Sequence, residues 1–215
     1  MKYSGAIFDL DGTLLDSMGI WDTIAEDYLR SLGIAPRENL TETFRHMSME
    51  QAAEYYKRVY GVAGTVEEIV TGVNRMIARF YTDEVRLKKG AASFVKNLAA
   101  SDVKMCVATT TDRRLTEAAL KRNSLLGYFS RIFTCAGVGH GKDEPFIWET
   151  ARAYMGTAKK ETLVFEDALH AARTAASAGF PVCAVYDPSE PGQEELRRLA
   201  DYFIEDFTQA GEVIA

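Results

Sequence analysis

The sequence predicts an α/β fold, a parallel sheet with helices on both faces, interrupted after its first strand by an all-helical insertion. Two observations carry this reading. Short apolar runs rich in β-branched residues recur through residues 1–14 and 86–215, each followed by a stretch with helical spacing, and strands that alternate with helices build βαβ units. Residues 15–85 break that rhythm with consecutive helix-like stretches and no strand-like run between them.

The first strand is expected at Gly5–Phe8, where "GAIF" runs apolar up to Asp9. The insertion follows. "SMGIWDTIAEDYLRSLGI", "SMEQAAEYYKRVYG" and "VEEIVTGVNRMIARFYTDE" each repeat apolar residues at three- and four-residue intervals, and the crossings to the sheet are expected at Leu14–Ser17 and Glu84–Gly90. The remaining strands are expected at Val103–Ala108, Arg131–Thr134, Thr162–Phe165 and Val182–Val185. Helices are expected at Ala91–Ala100, Asp112–Asn123, Pro145–Met155, Ala168–Ala178 and Gly192–Leu199, with Gly179-Phe180-Pro181 reading as a helix stop. The tail "DYFIEDFTQAGEVIA" suggests a short edge strand and a last helix.

A chain of 215 residues, 47% of them hydrophobic, suits a core domain with a smaller insert. Its net charge of −6 disfavours a nucleic-acid backbone or an anionic membrane as partner. Cys106, Cys135 and Cys183 lie far apart in or beside apolar stretches and read as buried thiols of a reducing compartment. The apolar run cut short by Asp9 is too brief for the core of a signal peptide, and no run is long enough to span a bilayer, so the cytoplasm is the expected location. The sequence does not settle the oligomeric state, a monomer being slightly favoured.

In an open parallel sheet, reactive groups collect at the carboxyl ends of the strands. Asp9 and Asp11 follow the first strand, although Asp-Gly is also a common turn dipeptide. Thr109, Thr110 and Thr111 follow the second, where hydroxyls and free N–H groups at a helix start can hold an anion or merely cap the helix. Lys142 follows the third strand in the glycine-rich "CAGVGHGKDEP", which lacks the spacing of a nucleotide P-loop. Glu166 and Asp167 stand side by side after the fourth; an acidic helix cap accounts for one of them but not both. Carboxylates, hydroxyls and one ammonium together are what a Mg2+-assisted attack on a phosphoryl group requires.

"DLDGT" at Asp9–Thr13, Thr109 after an apolar strand, Lys142 in "GKDEP" and "FED" at Phe165–Asp167 resemble, in order, the four motifs of the haloacid dehalogenase superfamily, of the type with a small helical cap after the first motif. The resemblance covers essentially the whole chain. It implies a Rossmann-like core of residues 1–14 plus 86–215 and a helical cap of residues 15–85. It further implies a phosphatase acting on a small phosphorylated metabolite through an aspartyl-phosphate: Asp9 as nucleophile, Asp11 as acid and base, Thr109, Thr110 and Lys142 as phosphate donors. Mg2+ would be held by Asp9, the Asp11 carbonyl and Asp167, with Glu166 orienting that shell. Met18, Trp21, Arg45, His46, Met47 and Met49 are the cap candidates for contact with substrate. The third motif departs from the usual Lys-Pro-x-Pro, reading Lys142-Asp143-Glu144-Pro145. A phosphosugar mutase is the alternative, and a non-catalytic binding protein on the same fold a more distant one; Trp21 and Met49 stand where mutase-like sequences place a histidine and an arginine.

Overall fold

The computed structural model describes residues 2–37, 40–44 and 47–212. By internal contact these divide into two compact units, one of residues 1–17 and 85–215, the other of Met18–Glu84. The strands are β1 (Gly5–Phe8), β2 (Leu15–Asp16), β3 (Arg86–Leu87), β4 (Lys104–Thr109), β5 (Arg131–Thr134), β6 (Thr162–Glu166), β7 (Val182–Val185) and β8 (Tyr202–Ile204).

The second unit is helical. It begins with a 3-10 turn at Met18–Asp22 and continues through α1 (Ile24–Ser31), α2 (Leu40–Phe44), α3 (Met49–Tyr60) and α4 (Val66–Arg79) to a π-helical turn at Phe80–Glu84. Helices α3 and α4 start in reciprocal capping boxes, Ser48 with Gln51 and Thr65 with Glu68, which satisfy backbone donors that the first turn leaves unpaired. Ile69, Val73 and Ile77 of α4 are buried at four-residue spacing, and Tyr56 of α3 donates its hydroxyl to the Ala25 carbonyl at 2.8 Å.

The first unit carries a parallel sheet, ordered β5-β4-β1-β6-β7-β8 among the described residues. Its helices are α5 (Ala91–Ala100), α6 (Arg113–Arg122), α7 (Cys135–Val138), α8 (Phe146–Met155), α9 (Leu169–Ser177) and α10 (Gln193–Leu199). Side chains alternate across the central strands and both faces are buried. Ile7 and Val164 pack with Trp148 of α8 and Ala171, Ala172 and Ala175 of α9, whose small side chains let that helix lie close to the sheet. On the opposite face Phe8 stacks on Phe165, centroids 4.4 Å apart and nearly parallel, with Phe94 of α5 edge-on to both.

The chain runs from β1 outward to β4 and β5, then returns across β1 to β6, β7 and β8, so β1 is where the strand order reverses. Ligands of such sheets bind outside the strand ends at that point. The register makes this local: Phe8 is level with Val107 and Phe165, and the Asp9 N–H continues the ladder to the Phe165 carbonyl at 2.9 Å. Asp9 therefore leaves the sheet beside the ends of β4 and β6.

Several expectations needed adjusting. The second strand of the sheet runs one residue further, to Thr109, and the glycine-rich run before Lys142 begins with the helical turn α7. The tail supplies β8 and a 3-10 turn at Ala210–Glu212, not a regular helix within the described residues. At the crossings, β2 and β3 pair antiparallel, Leu15 with Leu87 and Asp16 with Arg86, a ribbon too short to leave a periodic signal. Cys106 and Cys183 are buried free thiols, whereas Cys135 is only partly covered. Among the described residues no helix is long and apolar enough to cross a membrane.

Candidate active site

Asp9, Lys142, Glu166 and Asp167 converge at the carboxyl ends of β1 and β6, none of them more than 7% exposed. Asp9 and Asp167 follow their strands directly, and Glu166 is the last residue of β6. Lys142 arrives from the loop beyond α7. Its ammonium contacts Asp9 Oδ1 and donates to Glu166 Oε2 at 2.7 Å. The other Glu166 oxygen accepts the Ala168 N–H at 3.2 Å, so both of its oxygens are engaged. Thr13 donates to Asp167 Oδ1 at 2.7 Å.

Asp9, Glu166 and Asp167 each offer a carboxylate oxygen, all within 4.8 Å of one another. Three buried carboxylates face one ammonium, and the pKa values of Asp9 and Asp167 record the imbalance. Burial, opposed by Lys142 and reinforced by the charges of Glu166 and Asp11, pushes Asp9 up to about 7. Burial and the charges of Glu166 and Asp9 push Asp167 well above the usual carboxylate range, against the Thr13 hydrogen bond. Burial alone would lower Lys142, but Asp9 and Glu166 outweigh it and hold the ammonium charged. A further cation among these oxygens would offset the excess negative charge, and a set of hard oxygen donors without nitrogen or sulfur suits a hard divalent cation.

Gly12 shapes this cluster from the backbone. Its φ is +78°, and a Cβ placed on it would lie 2.2 Å from Asp167 Oδ2. The turn after Asp11 therefore needs glycine twice, for the left-handed backbone and for the space the carboxylate occupies. The Gly12 N–H bonds the Leu15 carbonyl at 3.0 Å, closing the turn onto β2.

Asp11 sits to one side, with Ser17 donating to its Oδ1 at 2.7 Å and Thr111 to its Oδ2 at 2.5 Å. Thr109 is fully buried and its hydroxyl accepts the Thr111 N–H at 3.0 Å. Thr110 is exposed, so of the two threonines that follow Thr109 it is Thr111 whose hydroxyl reaches the aspartate pair. Thr13 and Ser17 were not singled out from the sequence. Their signal is present in "DGTLLDS", as hydroxyl residues flanking an acidic turn.

The remaining candidates belong to the helical unit. Met18 is half-buried at the start of the 3-10 turn, and Trp21 in the same turn is 44% exposed. Met47 and Met49 flank the Ser48 cap and are half-buried. Arg45 and His46 lie outside the described residues.

Known proteins resemble this chain over most of its length. A probable pseudouridine-5'-phosphatase of Drosophila melanogaster is 26% identical over 96% of this chain and 94% of its own length. Hexitol phosphatase A of Escherichia coli K12 is also 26% identical, over 88% of this chain and 86% of its own. Among solved structures, a putative β-phosphoglucomutase from Thermotoga maritima superposes with a TM-score of 0.85 over 98% of this chain and 99% of that one, at 21% identity, a likeness of fold. The family model for haloacid dehalogenase-like hydrolases matches residues 6–185, and the chain belongs to that family, as a phosphohydrolase.

Proposed function

We propose that the protein is a Mg2+-dependent phosphatase that hydrolyses the phosphate ester of a small polyhydroxylated metabolite through an aspartyl-phosphate on Asp9. The observation that carries this is the buried cluster at the ends of β1 and β6, in which Lys142 bridges Asp9 and Glu166 while Asp167 lies within reach of the same point. The names of the Drosophila and E. coli relatives, a pseudouridine-5'-phosphatase and a hexitol phosphatase, support the substrate class.

In this reading Asp9 attacks phosphorus; the Asp9–phosphorus bond forms as the bond to the leaving oxygen breaks. Asp11 passes its proton to that oxygen and then takes one from the water that attacks the aspartyl-phosphate, releasing phosphate and restoring Asp9. The Ser17 and Thr111 hydroxyls hold the Asp11 carboxyl, so the acid is oriented before substrate arrives. Lys142 and Thr109 stabilise charge on the transferring phosphoryl oxygens, with exposed Thr110 as a further donor. Glu166 fixes Lys142 in place. Asp9, Asp167 and the Asp11 carbonyl are the groups that would hold Mg2+, whose charge, when bound, lets a phosphate dianion approach Asp9. The helical unit acts as the cap, with Trp21, Met18 and Met49 as the candidates to meet the leaving group.

A phosphate-release screen over phosphate esters of sugars, sugar alcohols and nucleosides, with Mg2+ and with EDTA, tests the reading. Turnover of at least one class that stops in EDTA and in Asp9→Asn is expected. Undiminished turnover in metal-free buffer would overturn the metal assignment, and an active Asp9→Asn would overturn the nucleophile. Interconversion of sugar phosphates that outpaces phosphate release would instead identify a mutase.

A further inference from the structure

The loop that carries Lys142 contains the acidic departure from the usual third motif, and the proposed mechanism leaves it without a role. The loop spans the end of α7 at Gly139 and the start of α8 after Pro145. Its backbone turn is loose, the Glu144 N–H meeting the Gly141 carbonyl at 3.4 Å. Side chains close it more firmly. His140 Nδ1 contacts Glu144 Oε2 at 2.5 Å, and the His140 ring lies over the Phe146 ring with centroids 4.0 Å apart and planes 20° from parallel.

These two contacts bracket the lysine. The first joins the residue two before Lys142 to the residue two after it. The second ties the same histidine to the opening residue of α8, whose next two side chains, Ile147 and Trp148, are buried in the core. Phe146 itself is 48% exposed and contributes little to that core. A neutral imidazole with its proton on Nδ1 donates to the carboxylate as an imidazolium does, so the closure needs no charge.

We propose that His140, through Glu144 and Phe146, is a positioning residue for Lys142, holding the loop so that the ammonium spans Asp9 and Glu166. The carboxylates fix only the tip of a side chain with four rotatable bonds; the Cα end has to be held by the loop. The proposal rests on the reading of Lys142 as the group that stabilises charge on the transferring phosphoryl.

The test is steady-state hydrolysis of p-nitrophenyl phosphate at saturating Mg2+ by the parent, His140→Ala, Glu144→Ala, Lys142→Ala and the double variant His140→Ala/Lys142→Ala. Displacing a reacting group by a fraction of an ångström should lower kcat in His140→Ala and in Glu144→Ala by about tenfold, with KM within about twofold, because Lys142 acts on charge that develops in the transition state. In the Lys142→Ala background the histidine substitution should cost nothing further. Because His140, Glu144 and Phe146 are all partly exposed, the unfolding midpoint of His140→Ala should stay within about 2 °C of the parent. Independently of turnover, the 15N–1H signal of the buried Lys142 ammonium should shift or broaden in His140→Ala. A parent-like kcat and unchanged ammonium signal in His140→Ala, alongside a crippled Lys142→Ala, would overturn the positioning role alone. An equal loss from His140→Ala in both backgrounds would overturn it too, by showing that the histidine acts elsewhere. A parent-like Lys142→Ala would overturn the role given to the lysine, and the positioning proposal with it.

Discussion

Replacing Gly12 by alanine tests the geometry of the cluster through a single methyl group. At φ +78° an alanine costs about 1–2 kcal/mol relative to its preferred backbone. The added Cβ would stand 2.2 Å from Asp167 Oδ2 and 2.7 Å from its Cγ, so the carboxylate has to move by about the difference from an ordinary contact, on the order of 1 Å. That movement breaks the 2.7 Å bond from Thr13, a charge-assisted bond worth about 1.5–3 kcal/mol. Together these amount to about 2.5–5 kcal/mol. Urea unfolding followed by far-UV circular dichroism should show it as a lower midpoint with an unchanged slope. The Mg2+ concentration for half-maximal phosphate release should rise about tenfold or more, since a displaced Asp167 no longer meets the ion. Gly19→Ala is the control, because its added Cβ meets nothing within 4 Å and its backbone is not left-handed. A Gly12→Ala protein that matches this control in both unfolding midpoint and Mg2+ requirement would refute the account of the turn.

Three further outcomes are expected. Folded Asp9 titrates at about 7 instead of 3.8, so the folded state keeps a proton that the unfolded chain gives up. Stability from that proton is complete below about pH 4 and lost as pH rises through about 7, a change of up to about 4 kcal/mol. In EDTA the stability of the parent relative to Asp9→Asn should therefore decline over that window, Mg2+ should flatten the decline, and a flat difference in both buffers would contradict the burial argument. Thr13→Val keeps the shape at Asp167 but removes its hydroxyl partner, and metal titration should show weaker Mg2+ activation with little change in the rate at saturating metal; an unaltered titration would show that Thr13 does not orient the carboxylate. Thr111→Val removes the hydroxyl that donates to Asp11 Oδ2 and should slow hydrolysis of alkyl phosphates, which need the acid, by about tenfold more than that of p-nitrophenyl phosphate, whose leaving group does not. Equal losses on both substrates would place Thr111 outside the proton transfer.

The strand ends were legible because the chemistry there is written in residue types. A carboxylate pair, an ammonium and a second carboxylate pair, each following an apolar run, point to one edge of a parallel sheet before any coordinates are known. What escaped depends on direction more than identity. Among three consecutive threonines, composition cannot say which hydroxyls turn inward. The bend after β4 answers it: Thr109 is buried and accepts the Thr111 N–H, Thr111 donates to Asp11, and Thr110 is left exposed. Thr13 and Ser17 escaped because a hydroxyl beside an acidic turn reads first as turn chemistry; Thr13 meets Asp167 only because β1 and β6 come together, and Ser17 meets Asp11 only because the chain folds back between them. The turn α7 and the β2–β3 ribbon are shorter than one period of the patterns that reveal helices and strands.

That ribbon has a consequence for how this architecture tolerates change. Because Leu15 pairs with Leu87 and Asp16 with Arg86, the chain leaves and re-enters the core at adjacent points, with paired Cα atoms about 5 Å apart. In topological terms the whole of Met18–Glu84 is the loop of a β-hairpin. The entropy of closing a loop grows only as the logarithm of its length, so shrinking this one from about 70 residues to a tight turn alters the closure term by only about 2–3 kcal/mol. The core is thus nearly indifferent to the size of what it carries between β2 and β3, leaving that segment free to lengthen, shorten or be exchanged while the strand ends that hold the carboxylates keep their register.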